Sequence, residues 1–115
     1  MNEIMLDLET MGNRPDAAII AIGAVELNRE TGQLGREFYE VVDLASAMAA
    51  GGTVDASTIL WWMQQSDEAR GEFRRRGTKV EDALNMFSWW LQGVDQNKVV
   101  YGLTQCTRPL KDNNI

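Results

Sequence analysis

Ile4-Met5-Leu6-Asp7-Leu8-Glu9-Thr10 decides how the rest of this chain folds. Ile4, Leu6 and Leu8 fall on one side of an extended segment, and Met5, Asp7 and Glu9 on the other. A period of two predicts a strand with one apolar face and one face carrying two carboxylates. Met11-Gly12-Asn13-Arg14-Pro15-Asp16 follows as a turn, rich in residues that interrupt regular structure. Ala18 to Leu27 (AIIAIGAVEL) predicts a second, deeply buried strand, with Gly23 where a bulge or a close backbone approach would fall. Asn28 to Gly32 reads as a hairpin connection and Leu34 to Val42 as a third strand. The first third is therefore expected to be a three-stranded antiparallel meander.

The pattern then turns helical. Asp43 to Ala50 suits a short helix stopped by Gly51-Gly52. Asp55 is placed to cap a helix reaching about Gln65, and Ser66 another reaching about Arg75. Thr78-Lys79-Val80-Glu81 has the form of a capping box. Beyond it Val80, Ala83, Leu84, Phe87, Leu91 and Val94 recur at spacings of three and four, the stripe of a core-facing helix. Val99-Val100-Tyr101 begins a fourth strand. The fold class expected is α/β: the meander, then helices, then the start of that strand. From Leu103 to Ile115 no periodicity remains, so residues 1–102 are expected to be the folded part and residues 103–115 a loose tail.

Composition bounds the chemistry. The 115 residues suffice for one domain. The longest apolar run, Ala17 to Val25, is too short to cross a bilayer. The N-terminus has no secretory pattern, and the single cysteine, Cys106, forms no internal disulfide, so a cytoplasmic location is expected. Seventeen acidic against eleven basic side chains give a net charge of −6, unlike a general nucleic-acid coat protein. Histidine is absent, which removes the commonest general base from any mechanism confined to this chain.

Asp7 and Glu9 are the candidates for chemistry. On one strand face their backbone positions lie roughly 6.6 Å apart. They sit where the strand enters a turn. Hard oxygen ligands so spaced suit Mg²⁺ or Mn²⁺, which take few protein carboxylates and keep several waters. Paired ions of this kind catalyse phosphodiester hydrolysis. The tetrapeptide alone equally fits a solvated strand edge.

Two longer blocks narrow the choice. Met5-Leu6-Asp7-Leu8-Glu9-Thr10-Met11-Gly12 followed by Ile20-Ala21-Ile22-Gly23-Ala24-Val25 resembles the first motif and second strand of the DEDD (DnaQ-like) 3′–5′ exonucleases. The block from Asp55 to Arg70 (DASTILWWMQQSDEAR) is similar to phage and prophage exonuclease VIII-like proteins, related to 3′–5′ exoribonuclease Rv2179c-like domains. The resemblance implies a ribonuclease H-like fold and a four-acid site for two divalent ions, acting at the 3′ end of RNA or DNA. It implies that Asp7 bridges both ions and that Glu9 binds one and helps hold the attacking water. It also implies that backbone around Thr10 and Met11 approaches the terminal nucleotide.

The resemblance fades after Gly102. Such proteins continue with a segment carrying the third acid, whereas this chain reads Leu103-Thr104-Gln105-Cys106-Thr107, with no Asp before Asp112. A C-terminally truncated exonuclease domain, inactive alone, is the expectation. The alternative is a non-catalytic prophage remnant that binds nucleic acid or a partner weakly, with an uncovered sheet inviting self-association. Smaller expectations accompany this. Trp62 shares a face with Ile59 and Met63 and is assigned to the core, while Trp61 and Trp89 point elsewhere and Trp90 lies beside the stripe. Arg70, Arg74, Arg75, Arg76 and Lys79 form a basic cluster, read mainly as a solvated run.

Overall fold

The computed structural model describes residues 3–74, 76–93 and 98–104, with side chains as far as residue 102. Strand β1 (Glu3–Thr10) pairs antiparallel with β2 (Ile19–Leu27), and β2 pairs antiparallel with β3 (Leu34–Val41). Strand β4 (Val99–Thr104) lies parallel to β1 on its other side, giving the order β3-β2-β1-β4. The meander and the fourth strand are as expected, and this mixed α/β sheet is compatible with a ribonuclease H-like fold. The tail expected over residues 103–115 falls, past Thr104, outside the described residues.

Strand registry turns the alternation in β1 into two distinct faces. Leu6 and Leu8 stand opposite Ala24 and Ile22, and the fully buried Ile4 opposite Glu26. These side chains meet α1 (Leu44–Ala49) and α4 (Val80–Gln92), whose Ala47, Val80 and Ala83 are buried in the same core. Phe38 on β3 packs against Phe87 and Trp90 of α4, with ring centroids 5.3 and 6.1 Å apart. Leu84 is 47% exposed, so the packed line runs Val80, Ala83, Phe87, Leu91. Leu84 lies a full 100° step around the helix from Ala83. Val94 lies outside the described residues. Glu26, also on the core face, is held ionised by the Arg36 backbone N–H (2.9 Å) and guanidinium (3.3 Å), which lower its pKa against the cost of burial.

The helix starts divide into those set locally and those set by tertiary contacts. Asp43 accepts from Ser46 N–H (3.0 Å), and Ser66 Oγ from Ala69 N–H (3.1 Å), as expected of caps. Asp55 stands at the start of α2 (Ala56–Met63), but its Oδ2 accepts from Asn13 N–H (2.8 Å) instead and ties the β1–β2 loop down. The capping box at Thr78 does not form. The Thr78 hydroxyl donates to Glu40 on β3, and the free Val80 N–H is satisfied by Ser46 Oγ of α1 (2.9 Å). Gly32 and Gly51, with φ of 75° and 108°, take the left-handed conformations that the hairpin and the end of α1 require. Among the described residues no helix is long and apolar enough to cross a membrane.

Candidate active site

The sheet face opposite the core carries Met5, Asp7 and Glu9. Asp7 pairs with Gly23, and Gly23 with Tyr39, so a glycine lies between the carboxylate and the aromatic ring in one cross-strand row. The sheet is regular at Gly23; the bulges fall at Glu9/Thr10 and Val25/Leu27. A Cβ built on Gly23 would touch only Asp7 O at 3.6 Å and Tyr39 Cδ1 at 3.7 Å, so Gly23 opens space beside Asp7 without relieving strain. Neither the bulge nor the close backbone approach anticipated at Gly23 is found, since both distances are ordinary van der Waals contacts in a regular stretch of sheet.

The second wall comes from α3 (Asp67–Arg74) and the end of α2. Tyr39 donates its hydroxyl to Glu72 Oε2 (2.8 Å). Trp62 meets Phe73 edge to face at 4.9 Å and donates its indole N–H to Thr10 O at 3.4 Å. Glu9, Tyr39, Trp62, Glu72 and Phe73 line an open cleft of about 400 Å³. Trp62 was expected in the core with Ile59 and Met63. It is half-buried instead, and those two are 39% and 63% exposed. The eight-residue α2 packs on the end of β1 rather than across the sheet, so only part of the indole is covered.

Electrostatics single out the two predicted acids. Asp7 Oδ1 is buried and has no hydrogen-bond partner. Desolvation holds the Asp7 pKa above the usual carboxylate range. Glu9 is pushed up to about 7, first by burial and then by the negative charge of Asp7. Two carboxylates crowded in this way favour either a shared proton or a cation. An orphaned carboxylate oxygen beside a second hard oxygen donor fits a divalent ion. Among the described residues no third acid joins them within metal-binding reach.

Thr10 and Met11, expected near the substrate through their backbone, are engaged inside the fold. Met11 N–H donates to Ala18 O (2.8 Å), Met11 O accepts from Asp55 N–H (3.0 Å), and Thr10 Oγ1 donates to Gly12 O (2.6 Å). Met11 contributes its side chain instead, to an apolar cleft of about 410 Å³ on the far side of Trp62. Of the basic cluster, Arg70 pairs with Asp67 and reaches that cleft, whereas Arg75 lies outside the described residues. Tyr39, Glu72 and Phe73 were missed by sequence reasoning. The alternation of β3 put Tyr39 on the carboxylate face, but only registry places it in the row of Asp7.

Residues 2–108 match the family of 3′–5′ exoribonuclease Rv2179c-like domains, past the point where the resemblance by motif fades. No curated protein shows significant similarity to the chain.

Proposed function

This chain belongs to the 3′–5′ exoribonuclease Rv2179c-like domain family, and from that premise we propose that Asp7 and Glu9 are its metal-binding acids in a site acting on the 3′ end of RNA. The observation that carries this reading is the buried Asp7 Oδ1 with no protein partner, beside a Glu9 carboxyl raised to about 7. A Mg²⁺ or Mn²⁺ ion held there supplies the Lewis acidity that activates water and steadies the leaving oxygen in phosphodiester hydrolysis. Asp7 offers the buried oxygen and Glu9 the more basic carboxylate. Without a cation Glu9 keeps its proton up to about pH 7, and cation binding releases it. Trp62 and Phe73 stand with Glu9 in the lining of the same open cleft.

Two acids are half of the four-acid set that the resemblance implies, and no third acid stands with them among the described residues. Slow turnover by these residues alone follows, since ligands acting as a unit are not replaced one by one. That same observation favours a second reading, a single-strand binder without turnover.

The test is release of nucleotides from 3′- and 5′-labelled RNA and DNA strands with Mn²⁺, comparing wild type with Asp7→Ala. The proposal expects a weak, metal-dependent shortening from the 3′ end, greater for RNA and lost in Asp7→Ala. Shortening that survives Asp7→Ala would overturn it. Strand binding without any turnover would select the second reading.

A further inference from the structure

We propose that the segment from Ile59 to Arg74 is a strap that gates access to Asp7 and Glu9, and that Tyr39 is the residue that latches it to the sheet. That the gated groups do chemistry rests on the function proposed above; the movement of the strap does not.

The strap is fastened at both ends and thinly packed between them. Before it, Asp55 N–H donates to Met11 O (3.0 Å), Asp55 Oδ2 accepts from Asn13 N–H, and Thr58 is buried. After it, Thr78 N–H donates to Val41 O (2.9 Å) and Thr78 O accepts from Asp43 N–H (2.8 Å). Between these anchors α3 buries no residue, and Leu60 and Met63 of α2 are exposed. The two apolar cores draw on α1 and α4 and, among the described residues, on neither α2 nor α3. Helices with so little buried apolar surface open at low cost while the sheet stays folded.

Beneath the strap lies space rather than packing. Clefts of about 400 and 410 Å³ lie on either side of Trp62, where a settled interface is close-packed. Glu9 lines the first together with Glu72 and Phe73 of α3, so a shift of α3 changes access to that carboxylate. The Tyr39 hydroxyl, donated to Glu72 Oε2 at 2.8 Å, ties α3 to β3. Tyr39 stands in the cross-strand row of Asp7, so this tie is made on the carboxylate face itself. The Trp62 indole N–H on Thr10 O, at 3.4 Å, is a longer and weaker tie. Phe73 meets Trp62 edge to face at 4.9 Å and couples α3 to α2.

Hydrogen exchange of the whole chain in metal-free buffer, read by mass spectrometry, tests the strap. Amides of α2 and α3 should exchange at least about a hundredfold faster than those of β1 and β2. Tyr39→Phe keeps the ring and removes the hydroxyl. It should speed exchange in α3 about fivefold and leave β1, β2 and α4 within about twofold. Glu72→Ala should act alike, and the double variant should go no further than Glu72→Ala alone. Carbodiimide labelling with glycinamide reads the gate. In Tyr39→Phe, Asp7 and Glu9 should label about threefold faster relative to the exposed Glu30. Exchange in α2 and α3 as slow as in the sheet, additive effects of the two substitutions, or faster exchange without faster labelling of Asp7 and Glu9 would overturn the proposal. Neither readout depends on turnover or on Mn²⁺. Failure of the nuclease reading therefore leaves the strap standing, and failure of the strap leaves the metal-site reading standing.

Discussion

Raising the pH from 5 to 8 without divalent ions should destabilise this protein, and Glu9 is the main reason. Its carboxyl titrates at about 7 when folded and near 4.5 when unfolded, through burial and then the Asp7 charge. Between those values the folded state binds more protons than the unfolded one, so stability falls as pH rises through the window. The nominal cost of that displacement is about 3 kcal/mol. Water reaching part of the carboxylate screens it to about 1–2 kcal/mol. Asp7, also raised, adds in the same direction. Glu26 is lowered, so its contribution is lost only below the unfolded carboxylate pKa, outside the window. Thermal unfolding should show a midpoint about 5–10 °C lower at pH 8 than at pH 5. Glu9→Gln should remove most of the slope. Asp7→Asn should reduce it less, because desolvation of Glu9 outweighs the Asp7 charge. Saturating Mn²⁺ should reverse the slope, since only ionised carboxylates bind the ion. A metal-free midpoint that is flat or rises between pH 5 and 8, or an undiminished slope in Glu9→Gln, would refute this electrostatic account.

Two further predictions concern the scaffold beneath the site. Ser46→Ala removes the acceptor for Val80 N–H at the start of α4 and should cost about 1 kcal/mol in urea unfolding, more than most exposed helix substitutions. Gly77→Ala would bring a Cβ to 2.6 Å from Asp43 N and Val42 C, backbone atoms that cannot swing aside. It should destabilise by about 2–3 kcal/mol, read by the same unfolding curve.

The strands were legible because each carries its own period. Ile4, Leu6 and Leu8 repeat every second residue, and registry with Ala24 and Ile22 then makes one face apolar except for Glu26 opposite Ile4. That Asp7 and Glu9 share the opposite face was legible for the same reason, but the tetrapeptide alone equally fitted a solvated strand edge, and singling them out for chemistry rested on the resemblance of the longer blocks. The helix caps were legible only where the partner is local. Asp43 and Ser66 cap their own helices, but Thr78 gives its hydroxyl to Glu40, and Ser46 from another helix takes its place. No spacing rule carries that exchange. The aromatic wall was hidden likewise. Trp62 belongs to an apolar-looking helix face, yet α2 rests on the end of β1, leaving Ile59 and Met63 in solvent and the indole between two clefts. The row Asp7–Gly23–Tyr39 depends on registry across two connections. The first of these, Met11 to Asp16, is an irregular turn from which no register follows.

Mn²⁺ titration followed by electron paramagnetic resonance tests the paired carboxylates most directly. Wild-type protein at pH 8 should quench the free-ion signal with saturable binding. Affinity should fall at least about tenfold in Asp7→Asn and in Glu9→Gln, with both variants folded by circular dichroism. Equal Mn²⁺ affinity in wild type and both variants would mean that the orphaned oxygen of Asp7 is not a cation ligand.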